Sequence, residues 1–253
     1  MERVNLAKSP AHEGEAVRGR AGGVQAMERI DLAKSSVREL NQFLHNDPAA
    51  RKIKALEVLN SDGAHSIAAG VDLPLDIDIR GHCGYYAAGM NKQANVTIHG
   101  NAGPGCAENM MSGTVRVKGF ASVSAGASGH GGTLIIEGDA SLRCGISMKG
   151  IDIVVGGSVG NFSAFMAQAG TLVICGDAGD ALGDSLYEAV IYVRGKVKSF
   201  GADAHEEPMT KADYDKVKSL LAKAGFDHDP KSFKRVASAK QLYHWNADAN
   251  QEY

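Results

Sequence analysis

Apolar and polar positions alternate in short runs that recur along most of the chain, and each run closes with a glycine. These anchor glycines are 19 residues apart throughout: Gly81, Gly100, Gly119, Gly138, Gly157, Gly176 and Gly195. Val, Ile or Leu stands two and four residues before every anchor, which is the alternation of a strand with one buried face. Seven anchors without a slip predict a solenoid of stacked coils of equal length.

Two further positions of each repeat accept only compact side chains. Ala, Val or Cys lies two residues after each anchor, and Ala or Gly lies seven residues after it. Such columns predict a tight bend or a narrow interior. The period is not a multiple of six, and the framework of a leucine-rich repeat is missing. We therefore expect an all-β fold, a single-stranded right-handed parallel β-helix of about seven 19-residue coils, with helical N- and C-terminal flanks.

The pattern divides the chain into a central unit and its flanks. Residues 55–205 form the expected β-helix, and Ala55–Asn60 is a predicted strand leading into it. In residues 27–54, Ser36 and Glu39 form a capping box before an apolar stripe, which predicts a helix ending at Asp47.

The C-terminal flank, residues 206–253, predicts a second helix. Thr210 and Asp213 cap its start and Gly225 ends it. An aromatic tail with the only tryptophan, Trp245, follows and is expected to dock on another surface. Because the open ends of a β-helix expose unpaired strand edges, we expect the two helical flanks to cover them.

The N-terminus contains a short internal repeat. The segment MERVNLAKS at Met1 nearly recurs as MERIDLAKS at Met27, with loop-like residues between the two copies. We expect residues 1–26 to be a disordered extension, and either methionine can be the natural start.

Charge and hydropathy exclude several function classes. The net charge is −2 and no basic run stands out, which argues against nucleic acid as a partner. No apolar run approaches the length of a membrane span, and the N-terminus lacks the apolar core of a signal peptide. We therefore expect a cytoplasmic protein without a membrane partner.

The residues that could carry chemistry do not combine into a site. Cys106 and Cys144 share a column but lie two coils apart, roughly 9.6 Å, which is too far for a disulfide. There is no CxxC motif and the histidines lack the spacing of metal ligands. We predict no catalytic, cofactor-binding or metal-binding residue in this chain. A secreted, carbohydrate-active β-helix would need a signal peptide and an acidic cleft, and the sequence supports neither.

Two sets of side chains are candidates for contacts outside the coil. Ile135, Val154 and Val173 alternate with the inward residues, so they should face outward and need a cover, either the C-terminal helix or a partner. A second column, eleven residues after the first six anchors, contains Lys92, Met111, His130, Lys149, Gln168 and Tyr187. It lies beside several methionines, which suit adaptable interfaces as well as cores. With the tail, it gives the candidate interface Met90, Lys92, Met110, Met111, His130, Met148, Lys149, Met166, Gln168 and Trp245.

The repeats resemble a known family. The run GHCGYYAAGMNKQANVTIHGNAGPGCAENMMSGTVRVKG, with ISMKGIDIVV and QAGTLVICGDAGDALGDS, resembles the GXGXG domain. That domain ends the large subunit of glutamate synthase and recurs as one of the chains of formylmethanofuran dehydrogenase. The resemblance covers residues 55–205 and is strongest to the free-standing version of the domain, which is one of the subunits of N-methylglutamate synthase. The C-terminal LYHWNADANQEY resembles that group as well.

The resemblance implies a structural subunit of an enzyme complex. The implied partners are a glutamine-amidotransferase-like subunit and an FMN-binding, glutamate-synthase-like subunit that also carries an iron–sulfur cluster. Such a complex converts methylamine and L-glutamate to N-methylglutamate and ammonia. The family supplies no catalytic residues to transfer to this chain. A scaffold in a glutamate-synthase-like or formyltransferase/hydrolase complex remains the alternative.

Overall fold

The computed structural model describes residues 27–240, so the expected extension 1–26 and the tail with Trp245 lie outside the described residues. The elements are β1 (Glu28–Asp31), α1 (Val37–Asn46), β2 (Ala55–Leu59), β3 (Asp76–Ile79), β4 (Asn95–Ile98), β5 (Thr114–Val117), β6 (Thr133–Ile136), β7 (Lys149–Val155), β8 (Ala169–Ile174), β9 (Val190–Val193), β10 (Ala204–Glu207), α2 (Lys211–Ala224), a 3₁₀ turn (Pro230–Ser232) and β11 (Lys234–Ser238).

The strands form one stacked sheet, which confirms the predicted parallel β-helix. The order is β1 to β9 in sequence, followed by β11 and β10. Neighbours from β1 to β9 are parallel, and from β3 to β9 they keep the 19-residue register, as in Ile79 opposite Ile98. A second line of parallel bridges joins the compact column from Cys83 to Val197. Equivalent residues therefore stack along the molecule, as the sequence period requires.

A ladder of side-chain acceptors explains the anchor glycines. At five of the seven anchors, the residue after the anchor accepts a hydrogen bond from the backbone N–H of its counterpart in the next coil. Asn101 Oδ1 accepts from Phe120, and Asp177 Oδ1 accepts from Lys196. A Cβ at Gly119 or Gly195 would collide with that same acceptor oxygen. At these two anchors only glycine fits, because the preceding coil's acceptor occupies the space of a side chain. At Gly138, which follows Phe120, the nearest atom is instead the Gly119 carbonyl oxygen at 2.9 Å.

The bend opposite the sheet uses left-handed backbone at alternate residues. In the fifth coil, Phe162, Ala164 and Met166 have φ of 57°, 57° and 51°. The N–H of Phe162 donates to Asp180 in the following coil, that of Ala164 to Cys144 in the preceding coil, and that of Met166 to Asp184 in the following one. Left-handed residues thus satisfy backbone donors in both directions, at a cost in strain that the stacking offsets.

The N-terminal flank closes one end of the coil. The predicted capping box is confirmed, and α1 buries Leu40, Phe43 and Leu44 in the same core as the coil interior. The side-chain amide of Asn41 donates to the carbonyl of Ser66, between β2 and β3. Strand β1, which the sequence pattern did not indicate, extends the sheet beyond β2.

The C-terminal flank is only partly as predicted. Helix α2 has the expected capping box and ends at Gly225, whose φ is 77°. It lies against the outer face of the sheet, where Val217 and Leu221 cluster with Val154. The expectation that it covers the coil end is therefore wrong, because the hairpin β10–β11 has that role: β11 pairs antiparallel with β9, and β10 pairs with β11.

Candidate partner-binding surface

The interior of the coil is filled with side chains. Inward residues of the strands are aliphatic and fully buried, and they face the compact column, as at Ile98, Val117 and Ala121. The position seven residues after the anchor is also buried in every coil except the last, where Ala202 is exposed: Ala107 is inaccessible, and a Cβ on Gly126 would lie 2.6 Å from Ile153 Cδ1. The narrow interior that the small columns predict is therefore present.

The four cysteines are part of this packing. All are buried and none forms a disulfide. Burial raises the thiol pKa to about 12 at Cys83 and at Cys144, and to about 11 at Cys175, and it raises that of Cys106 as well. Thiols held protonated are poor nucleophiles and poor metal ligands. Within residues 27–240, no group of three or more His, Cys, Asp or Glu side chains could hold a metal ion.

Helix α2 covers an apolar part of the outer face of the sheet. Ile135, Val154 and Val173 point outward as predicted and are buried by α2. In the coils that α2 does not reach, the same column carries Glu57, held between Arg29 and Arg80 at 2.7 Å from each. Apolar residues thus occur where the chain covers its own face, and charged or polar ones where it does not.

A polar cluster holds α2 and the terminal hairpin together. Tyr192 on β9 donates to Asp213 at 2.6 Å, and Arg235 on β11 pairs with Asp213 and with Glu207. Burial raises the pKa of the Tyr192 hydroxyl. Burial also acts to raise the pKa of the Asp213 carboxyl, but hydrogen bonds from Thr210 and Tyr192 outweigh it and hold that pKa below its usual value. The cluster joins elements of this chain, so we assign it to stability.

Two predicted interface residues belong to the core. The side chains of Met110 and Met148 are fully buried, in the column ten residues after their anchors. They pack with the interior residues of the coil, so the structure removes them from the candidate interface. In sequence they adjoin the exposed column, and the pattern alone did not separate the two.

The other candidates within residues 27–240 form an exposed line, which we call the methionine edge. Met90, Met111 and Met166 are 47%, 45% and 38% exposed. The remaining members are also exposed: Lys92, His130, Lys149 and Gln168. Lys92 is engaged by Asp72 at 2.9 Å. The edge combines flexible apolar side chains with positive charge, which is suited to a partner with an apolar and acidic surface.

A second set of exposed apolar side chains was not predicted from the sequence. Tyr85 and Leu142 lie four residues after their anchors, and Phe162 and Phe200 lie five after theirs; we call these four residues the aromatic edge. Each is between 40% and 50% exposed. Tyr85 stacks on Tyr86 with ring centroids 5.6 Å apart. No single repeat position identifies these residues, because the first two lie four residues after their anchors, the last two lie five after theirs, and three coils have no large apolar side chain at either position.

The backbone holds the two edges rigidly beside each other. Phe162 of the aromatic edge and Met166 of the methionine edge occupy left-handed positions of one bend. Between them, the Phe165 ring meets that of Phe162 edge to face, with centroids 6.2 Å apart. Large apolar residues in strained backbone and in contact with solvent are costly for an isolated chain, so the bend is a candidate contact surface.

Comparison with known proteins places the chain in a family. It is 54% identical over 225 residues to Protein GlxC of Rhizobium meliloti (strain 1021), an alignment that covers 88% of this chain and 99% of that protein. The chain belongs to the GlxC family. No protein-family model matches it. Among residues 27–240, no helix has the length and apolar character needed to cross a membrane.

Proposed function

We propose that this member of the GlxC family is the structural, non-catalytic subunit of a flavin-dependent N-methylglutamate synthase complex. The observation that carries the proposal is the pairing of a side-chain-filled interior with two exposed apolar edges on the outside. The filled interior leaves no room for a reaction centre inside the coil, and the two exposed edges offer contact surface along its length.

The shape of the molecule suits this role. Eight strands from β2 to β9 stack in register, so the coil is a rod about 34 Å long. Backbone ladders run along its length, and each coil is fixed by both neighbours. Such a rod can hold two larger subunits at a set separation, which keeps their active sites in register.

The partners follow from the GXGXG resemblance. We propose that a glutamine-amidotransferase-like subunit and an FMN-binding, glutamate-synthase-like subunit with an iron–sulfur cluster carry the chemistry. The complex would convert methylamine and L-glutamate to N-methylglutamate and ammonia. The similarity to Protein GlxC is compatible with this assignment, although that name specifies no reaction.

The test is purification of the tagged full-length chain from its source cells, followed by native mass spectrometry and an absorption spectrum. We expect an amidotransferase-like and a flavin-containing subunit, with the flavin spectrum following the complex. An amidohydrolase-like partner would instead support the formyltransferase/hydrolase alternative. Turnover of a glycan by the isolated chain would contradict a structural role.

A matched pair of variants tests which surface binds. Replacing Phe162 and Met166 together by serine removes two exposed apolar groups from the bend, so we expect a folded chain that no longer retains one partner. The control is Lys218→Ser on the solvent side of α2, which should retain both partners. Full retention by the double variant would exclude this bend as the contact site.

A further inference from the structure

Two tyrosines and a glutamate converge on one point beside the aromatic edge. The point is the place that a Cβ would take on Gly105, and it lies 2.7 Å from Glu108 Oε2, 3.6 Å from Tyr85 Cε2 and 3.7 Å from Tyr86 Cδ2. Gly105 is the counterpart of Tyr86 in the next coil, and its missing side chain lets the carboxylate lie against the backbone. The stacking of two neighbouring coils therefore brings the three side chains together.

The chain itself holds the two rings in position. Tyr86 folds over Gly89, where an added Cβ would lie 2.4 Å from Tyr86 Cε1. The Tyr85 backbone N–H donates to His65 Nδ1 at 2.9 Å, and the two rings meet edge to face with centroids 6.4 Å apart. The planes of the two tyrosine rings are inclined by 31°. Both rings are thus pre-organised, while half of Tyr85 stays exposed.

The carboxylate of Glu108 has no partner of its own. Among residues 27–240, neither an ion pair nor a hydrogen bond engages it. Asp184 occupies the same repeat position, eight residues after its anchor, and there the chain supplies two donors: Ser185 Oγ at 2.9 Å and the Ala202 N–H at 3.2 Å. The negative charge of Glu108 is therefore left available beside two aromatic rings.

The rings and the carboxylate attract the same kind of group. A cation paired with Glu108 is brought within the range of about 6 Å over which an aromatic face attracts positive charge. We propose that Tyr85, Tyr86 and Glu108 bind a cationic side chain, an arginine or a lysine, of a partner subunit. This inference rests on the proposed function, because it takes the aromatic edge, to which Tyr85 belongs, as a contact surface of the complex.

The openness of the site favours a side chain over a free small cation. Sites for small molecules bury most of the ligand's surface, whereas Tyr85 is half exposed to solvent. A side chain of a docked subunit is already held nearby, so its binding carries no separate loss of translational freedom. The other members of the aromatic edge are apolar, so Glu108 would add a charge-specific contact that fixes the register of the partner.

Substitutions in the full-length chain of the intact complex test the site, with the dissociation constant read from a dilution series by mass photometry. Glu108→Gln keeps the shape and removes the charge, so we expect binding to weaken about tenfold. Tyr85→Leu keeps apolar area and removes the aromatic face, which should weaken binding about fivefold. Tyr85→Phe retains the face and should bind like the wild type. Unchanged melting temperatures of the isolated variants verify their folding.

The matched control is Asp215→Asn, which removes an exposed carboxylate on α2 and should leave the dissociation constant unchanged. A double variant, Tyr85→Leu with Glu108→Gln, tests whether the ring and the carboxylate contact the same group. If they do, the combined loss should be smaller than the product of the two single losses. Losses that multiply fully would contradict a single shared cation.

The outcomes distinguish this inference from the proposed function. A wild-type chain that retains no partner subunit would contradict the proposed function itself. A wild-type complex whose dissociation constant is unaffected by Glu108→Gln and Tyr85→Leu would overturn the cation site alone. Equal weakening by Asp215→Asn would also overturn it, because the effect would then be general charge attraction.

A probe experiment separates a partner side chain from a free cation. Tetramethylammonium chloride is titrated into the isolated full-length chain, and binding is followed by calorimetry. We expect no saturable binding below millimolar concentration, since the open site encloses little of a small ligand. Tighter binding that Glu108→Gln abolishes would assign the site to a small organic cation and overturn its assignment to a partner side chain.

Discussion

Phe120 interrupts the ladder of side-chain acceptors that runs from coil to coil. The ladder of acceptors runs through His82 and Asn101, resumes at Asp139, and continues through Ser158 to Asp177. Phe120 stands between its two parts, and its ring cannot accept the N–H of the next coil. Half of this aromatic side chain is exposed, so it gains little from burial in return.

Restoring the acceptor should therefore stabilise the chain. In Phe120→Asn, the side-chain oxygen can accept from the Asp139 N–H, as Asn101 does from Phe120 at 3.1 Å. We expect the free energy of unfolding, measured by urea denaturation, to rise by about 1 kcal/mol. The control is Phe120→Ala, which removes the ring without adding an acceptor. Equal stability of the two variants would show that the ladder does not extend through this position.

At the scale of elements, α2 determines which outer positions can be apolar. Val154 and Thr97 occupy the same column, but α2 covers Val154 and does not cover Thr97. The helix is also held by hydrogen bonds from Arg116 to the carbonyl of Ala224 and from Lys223 to Thr133. Its amphipathic face and the apolar column therefore form one unit.

Introducing a charge beneath the helix should detach it. In Val154→Asp, a carboxylate would be buried among Val217, Leu220 and Leu221 without a partner of opposite charge, at a cost of about 3 kcal/mol. We expect faster amide hydrogen exchange throughout α2 while β3 to β5 stay protected. Thr97→Ala is the control and should change neither. Unaltered protection of α2 in Val154→Asp would mean that the helix does not depend on this face.

At the scale of the whole molecule, the sequence predicts the elements that a period or a capping box marks and misses those that neither marks. The period, the inward columns and both capping boxes follow from local patterns, so the coil and the two helices are predictable. Strand β1 and the hairpin β10–β11 lie outside the 19-residue period and take their role from an exposed sheet edge, which no periodicity marks.

The candidate partner-binding surface also has a part that the sequence predicts and a part that it does not. Most of the methionine edge lies eleven residues after the anchors, and Met90 and Met166 lie nine after theirs. The burial of Met110 and Met148, however, depends on which direction a left-handed bend turns each side chain. The aromatic edge mixes two neighbouring positions of the repeat, so no single column identifies it. Orientation at irregular backbone is a property of the stacked structure, and spacing alone does not encode it.

The coils should fold and unfold as one cooperative unit, because every interior position is in contact with the coils on both sides. Gly126 lies in the central coils at φ 69°, and an added Cβ there would lie 2.6 Å from Ile153 Cδ1 and 3.1 Å from Leu134 Cδ2. In Gly126→Leu, left-handed strain and overpacking together should cost about 3 kcal/mol and disturb both this coil and the following one. We expect little soluble protein and a lower urea midpoint for what remains. The control is Ser128→Met, two residues later, because Met90 and Met166 already occupy that position at similar φ. Wild-type stability of Gly126→Leu would mean that the interior has room for a larger side chain, and the argument for a purely structural rod would lose its basis.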